Sequence, residues 1–150
     1  MFTEQFYQQL LSRMPYSPPF LFVDKIIELS DKNIKATFYF DKNLEFYQGH
    51  FIHKSITPGA ILLESMGQVG CVLMGIYQFK LYENQKSFEP VLGLMEANFY
   101  LPIYPNTLVT IESELDYLRG SYISSINHLY DDNMKLAAIS RIQCNFIIYE

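Results

Sequence analysis

The sequence predicts an α+β domain in which a curved antiparallel β-sheet wraps around one long central helix. Three observations carry that expectation. Residues from Ala60 to about Phe79 form an apolar run with no wet face, and a helix apolar all round must be enclosed by something. Segments on both sides of it alternate apolar and polar residues, the period of a strand with one buried face. Short turns separate the later strands, which implies antiparallel neighbours. A sheet folded over the helix hides all its faces at once.

Taken in order, Thr3 to Arg13 reads as a short helix with Phe6, Leu10 and Leu11 on one face, ended by Pro15, Pro18 and Pro19. Phe20 to Leu29 reads as an apolar strand, and Ser30-Asp31-Lys32-Asn33 as a turn. Ile34, Ala36, Phe38 and Phe40 alternate with Lys35, Thr37 and Tyr39, so a second strand pairs back as a hairpin. Asp41 to Thr57 has no clean period and reads as a loop. Thr57-Pro58-Gly59 looks like a helix start, with a hydroxyl cap and a proline where no N–H is needed. Beyond the helix, Val91–Tyr100, Leu108–Leu118, Tyr122–Tyr130 and Met134–Tyr149 read as four strands of a meander.

The 150 residues suit a single domain, residues 1–150. A chain this long buries roughly 70% of its unfolded surface and needs no staples. A net charge of -5 argues against a nucleic-acid binder, which usually carries a basic face. Cys71 and Cys144 sit in apolar runs and read as buried free thiols, with no CxxC pair to suggest zinc or redox work. The N-terminus lacks a basic start followed by a long apolar stretch, which points to the cytoplasm. The central run is nearly long enough to cross a membrane. Glu64 and Gln68 inside it, its three glycines and the flanking strands argue against a span.

Glu64 is the most informative residue. A carboxylate in a helix with no wet face costs several kcal/mol unless paired, hydrogen-bonded or protonated. It is either an acid whose pKa burial raises, suited to general-acid work, or a carboxylate at a seam paired with a lysine or arginine. His50 lies in the loop before that helix and is a default general base, although a lone loop histidine is more often a surface residue. Gly49 lets the backbone approach something closely, and Phe51 offers a dry neighbour. Gly59, in the first turn, has an N–H without an intrahelical partner at the positive end of the helix dipole, where it can polarise a carbonyl. A base, an acid and an oxyanion donor beside an apolar wall form a kit for β-elimination. His50, His53 and Glu64 lack metal-site spacing, so no metal is expected. Ser65 has no nucleophile-elbow context, and His128 carries no signal.

Gly49-His50-Phe51, then Pro58-Gly59, then Leu63-Glu64-Ser65-Met66-Gly67-Gln68 resembles the signature of the FabZ-type hydroxyacyl-carrier-protein dehydratases: GHF, a spacer, PG, and E-A-M-A-Q. Met14-Pro15-Tyr16, Pro19 to Lys25 and Phe99 to Pro105 are similar to further family blocks. The resemblance implies a hot-dog fold, no cofactor, and a 3-hydroxyacyl substrate bound to acyl carrier protein. It also implies a dimer in which the histidine of one subunit faces the acid of the other, as a homodimer, a trimer of dimers or a heterodimer with a related subunit. It assigns His50 as base, Glu64 as acid, Gly59 as oxyanion donor and Gln68 as the partner orienting Glu64, with Phe51 and Pro58 beside the substrate. The chain departs from the pattern at Ile52 and Ser55, where the family has prolines, at Tyr16 and Ser17, and at Tyr100 and Leu101, where basic residues are expected. These departures suggest a specialised relative, in polyene or other secondary lipid synthesis. A hot-dog thioesterase and a non-catalytic chain-binding subunit are the competing readings.

Overall fold

The computed structural model describes residues 1–150. Helix α1, Glu4–Leu11, starts at Thr3, whose side chain accepts from Phe6 N at 3.1 Å. It buries Tyr7 and Leu10, with Phe6 and Leu11 partly covered. Strands β1, Lys25–Leu29, and β2, Asn33–Phe40, form the expected hairpin. The central helix α2 runs Gly59–Gln78 and widens to a π turn over Gln68–Leu73. Four strands follow: β3, Phe88–Phe99; β4, Thr107–Arg119; β5, Tyr122–Tyr130; and β6, Leu136–Ile148. One six-stranded antiparallel sheet results, in the order β1-β2-β4-β5-β6-β3.

The sheet closes over α2 because β2, β4 and β6 turn alternate apolar residues toward the helix. Ile34, Ala36, Phe38 and Phe40 of β2 are buried, as are Val109 and Ile111 of β4 and Ala138, Ile142 and Phe146 of β6. From Ser65 to Ile76 every residue of α2 is buried. Two glycines let the sheet come this close. A Cβ on Gly70 would sit 2.0 Å from Asn127 Oδ1, and one on Gly75 would sit 2.2 Å from Phe146 Cζ. The apolar helix is therefore the core helix of a hot-dog fold, as the resemblance implied.

Three local expectations change. The meander holds for β4, β5 and β6, but β3 lies at the far edge beside β6. It pairs with β6 along its whole length, and the chain then crosses from Tyr100 to Asn106 to reach β2. Asn106 N donates to Phe40 O there. Second, Phe20 to Asp24 is not strand. Its backbone is engaged by helix side chains instead: Gln68 Oε1 accepts from Phe22 N at 2.8 Å, and Ser65 Oγ donates to Phe22 O at 2.8 Å. Third, the first turns of α2 do have an open face. Ala60 is exposed, and Ile61, Leu63 and Glu64 are half-buried.

Candidate active site

His50 follows a 3-10 turn, Glu45–Gln48, that leads the chain toward the N-terminus of α2. Its ring is fixed by a 2.8 Å contact between Nδ1 and Ile56 O. A carbonyl oxygen can only accept, so Nδ1 carries the proton and donates. Nε2 of the neutral ring is then the atom with a free lone pair, the form a general base needs. Ile56 N donates back to His50 O at 2.9 Å, which closes the loop on itself. Phe51 stacks on the imidazole with centroids 3.9 Å apart.

The helix start differs from its sequence expectation. Pro58 occupies the N-cap position and makes no side-chain capping bond. The Thr57 hydroxyl turns away from the helix to Tyr47. Gly59 N–H and Ala60 N–H consequently make no hydrogen bond within the chain, while Ile61 N and Leu62 N donate to Pro58 O. Free N–H groups at a helix N-terminus favour a negatively charged oxygen. A cavity of about 470 Å³ opens at this point, lined among others by His50, Phe51, Thr57, Gly59, Phe99 and Ile103. The crossover after β3 forms its far wall, where Ile103 O accepts from Thr57 N at 2.8 Å. The Phe99 ring lies over Gly59, 3.2 Å from where a Cβ would stand.

Glu64 and Gln68 sit further along α2. At 3.6 residues per turn, Glu64 projects about 140° around the helix from Gly59. It does not line the His50 cavity. Gln68 is wholly buried and uses every amide group. It donates to Glu64 Oε1 at 3.1 Å and to Phe20 O at 3.0 Å, and accepts from Phe22 N. Glu64 has no lysine or arginine within ion-pair distance, which removes the seam reading. The structure thus brings His50, Phe51 and Gly59 together, places Pro58 directly before Gly59 but outside the cavity lining, and holds Glu64 with Gln68 on another face.

Sequence reasoning missed two groups. Tyr16 is half-buried beside Glu64, and burial first, then the Glu64 charge, holds its phenol well above the usual range. It therefore stays protonated next to the acid. Tyr47, three residues before His50, is buried against Thr57. Tyr16 falls in a block that resembles the family but has no role attached, and Tyr47 carries no signal, because neither contact follows a helical or strand period. Cys71 and Cys144 are free and buried as expected. His128 lines a separate cavity of about 520 Å³ with Glu28, Lys35 and Glu112, and shares no residue with the His50 cavity.

A family described as FabA-like domain matches residues 14–136. A FabZ 3-hydroxyacyl-[acyl-carrier-protein] dehydratase from Caldicellulosiruptor bescii is 36% identical over 115 residues, covering 75% of this chain and 79% of the relative. The enzyme of the same name from Dechloromonas aromatica is 29% identical over 141 residues, covering 91% and 94%. Among solved structures, a dehydratase heterocomplex from Xenorhabdus doucetiae superposes with a TM-score of 0.72 at 13% identity, covering 91% and 89% of the two chains. A thioesterase from Haemophilus influenzae gives a TM-score of 0.61 at 16% identity, covering 98% and 92%. The last two establish the hot-dog fold alone, since both reactions occur on it. The family match and the level of identity over most of the chain place it more narrowly: it belongs to the FabA-like family, and its similar relatives include FabZ dehydratases.

Proposed function

We propose that this chain is a 3-hydroxyacyl-[acyl-carrier-protein] dehydratase, a hydro-lyase that removes water from a 3-hydroxyacyl thioester to leave a trans-2-enoyl thioester. The observation that carries the reading is the fixed tautomer of His50, with Nε2 free, in one cavity with the unengaged N–H of Gly59. His50 Nε2 takes the proton alpha to the thioester carbonyl. Gly59 N–H holds the oxygen on which charge develops. The electron pair forms the C2–C3 double bond, and the Glu64 carboxyl protonates the hydroxyl that leaves C3 as water. His50 ends protonated and Glu64 ionised, so return of one proton between them resets the pair. Gln68 orients the carboxyl, while Phe51 and Pro58 keep the reacting carbon among apolar groups. Elimination moves protons but no net electrons, so the reaction calls for no redox cofactor.

The same reading makes the active site a joint product of two copies. Glu64 is half-buried and turned away from its own His50 cavity. Strand β3 ends the sheet with a free edge, and Leu92 and Phe99 on it are 54% and 47% exposed. A second copy paired along that edge covers them and brings its own His50 to Glu64. Lys54, 4.6 Å over the Tyr104 ring and in the same tight turn as Phe51, supplies a positive charge at the cavity mouth for an acidic carrier. The cytoplasm is the compartment that fits such a carrier.

The test is incubation of the purified protein with 3-hydroxyacyl-carrier-protein, followed by mass spectrometry of the acyl chain and a free-thiol assay. Loss of one water without thiol release is expected. Thiol release would make it a thioesterase. No reaction, where a FabZ control turns over, would leave the chain-binding subunit. Native mass spectrometry decides between a homodimer, a larger assembly and pairing with a related subunit.

A further inference from the structure

The loop that carries His50 and the first turn of α2 are joined by one buried side-chain bond. The hydroxyls of Tyr47 and Thr57 lie 2.5 Å apart, and the two residues are only 4% and 3% exposed. Tyr47 stands three residues before His50, and Thr57 two before Gly59. Supporting bonds converge on the same pair. Ser55 Oγ donates to Tyr47 O at 3.0 Å, and Thr57 N donates to Ile103 O at 2.8 Å. Ile56, whose carbonyl fixes the His50 tautomer, is the residue directly before Thr57. The chain therefore leaves Tyr47, turns through His50, returns at Thr57, and is closed there by the two hydroxyls.

We propose that the Tyr47–Thr57 bond is a latch that sets the distance and tautomer of the His50 imidazole relative to Gly59 N–H, which makes Tyr47 and Thr57 positioning residues for the dehydration. The inference rests on the reading of His50 as the base. Two physical points support it. Each hydroxyl is buried without another partner, so breaking the bond strands a polar group and favours rearrangement of the loop. The bond also draws the Thr57 hydroxyl away from the helix, where it would otherwise compete for the first-turn N–H groups. Burial pushes the Tyr47 phenol up against the opposite pull of the Thr57 bond, so the latch stays neutral and closed through the physiological range.

The experiment compares Tyr47→Phe, Thr57→Val, the double variant and Thr57→Ser with the wild type. Both removal variants are expected to lower kcat by about 10- to 100-fold, the scale of a small misplacement of a reacting group, with KM little changed. The double variant should be no worse than the poorer single one, since one bond is lost in every case. Thr57→Ser keeps the hydroxyl and should stay close to wild type. It also guards against a removal variant that fails to fold. In 15N spectra of the imidazole, the wild type should show a single tautomer with the proton on Nδ1, and Tyr47→Phe a mixture. Wild-type kcat with an unchanged tautomer in Thr57→Val would overturn the latch, as would additive losses in the double variant. A wild type that dehydrates nothing would sink the functional reading instead, and the imidazole spectra would still judge the latch.

Discussion

Replacing Gln68 by alanine should damage the fold as much as the chemistry. Its amide holds Glu64, but two of its three bonds go to the backbone of residues 20 and 22. Phe22 is only 1% exposed, so its stranded N–H has no access to water. That costs about 1–3 kcal/mol. Phe20 is nearly half exposed, and water can replace the amide at its carbonyl. Losing the buried side-chain methylene adds about 0.8 kcal/mol. The sum is about 2–4 kcal/mol, which lowers Tm by about 4–16 °C for a chain of this length. Glu64→Gln is the control. It keeps an oxygen for Gln68 to reach and sits half-buried, so its stability should lie within about 0.5 kcal/mol of wild type while dehydration is lost. Thermal unfolding followed by circular dichroism reads both. A Gln68→Ala variant within about 2 °C of wild type would mean that the 20–22 segment is held by something else, and the reasoning fails.

Other perturbations separate packing from chemistry. Gly75→Ala should cost about 1–3 kcal/mol in urea unfolding, because Phe146 is wedged between Phe79 and Phe88 and cannot move aside. Gly59→Ala meets only the half-exposed Phe99 ring, which can give, so its unfolding midpoint should be nearly unchanged. Tyr77 donates to Asp31 Oδ1 at 2.7 Å, and that bond, with burial behind it, raises its pKa from 10.0 to about 12. The folded state then holds a proton that the unfolded state releases, so stability should fall as pH climbs from about 10 through 12. Tyr77→Phe should flatten that alkaline slope in pH-dependent urea unfolding, and an unchanged slope would assign it to another group.

The sheet and the helix were legible because both obey a period. The alternation in β2 and the unbroken apolar run each named their own buried face. The place of β3 was not legible. Its Val91-Leu92-Gly93-Leu94-Met95 run is apolar without alternation and names no position in the sheet, so only its pairing with β6 across the whole strand, a contact 39 or more residues away in register, decides the edge. Phe20 to Asp24 looked like strand because strand and buried extended chain share a composition. Their difference lies in who takes the backbone hydrogen bonds, here Gln68 and Ser65. Glu64 stands out as an ionisable group in an apolar helix and Gly59 as a first-turn N–H, whereas His50 gains weight mainly through spacing that resembles a family. Glu64 was expected inside a fully enclosed helix, yet its turn of the helix is open in one chain.

That open turn yields the sharpest test of a shared site. Take His50→Ala and Glu64→Gln, each expected to be inactive under the proposed roles, and let their subunits exchange. Where each site takes His50 from one chain and Glu64 from the other, a mixed dimer has one site with both groups changed and one with both intact. Equal mixing makes half the dimers mixed, and each carries one working site of two. Activity should therefore recover to about a quarter of wild type. Sites contained within single chains predict no recovery, since every chain in the mixture lacks either the base or the acid. Dehydration measured before and after exchange distinguishes the two outcomes. Recovery without measurable exchange would point instead to residual activity in one variant. The geometry favours the divided site: within one chain, the His50 cavity and the Glu64 carboxyl lie on different faces of the same helix.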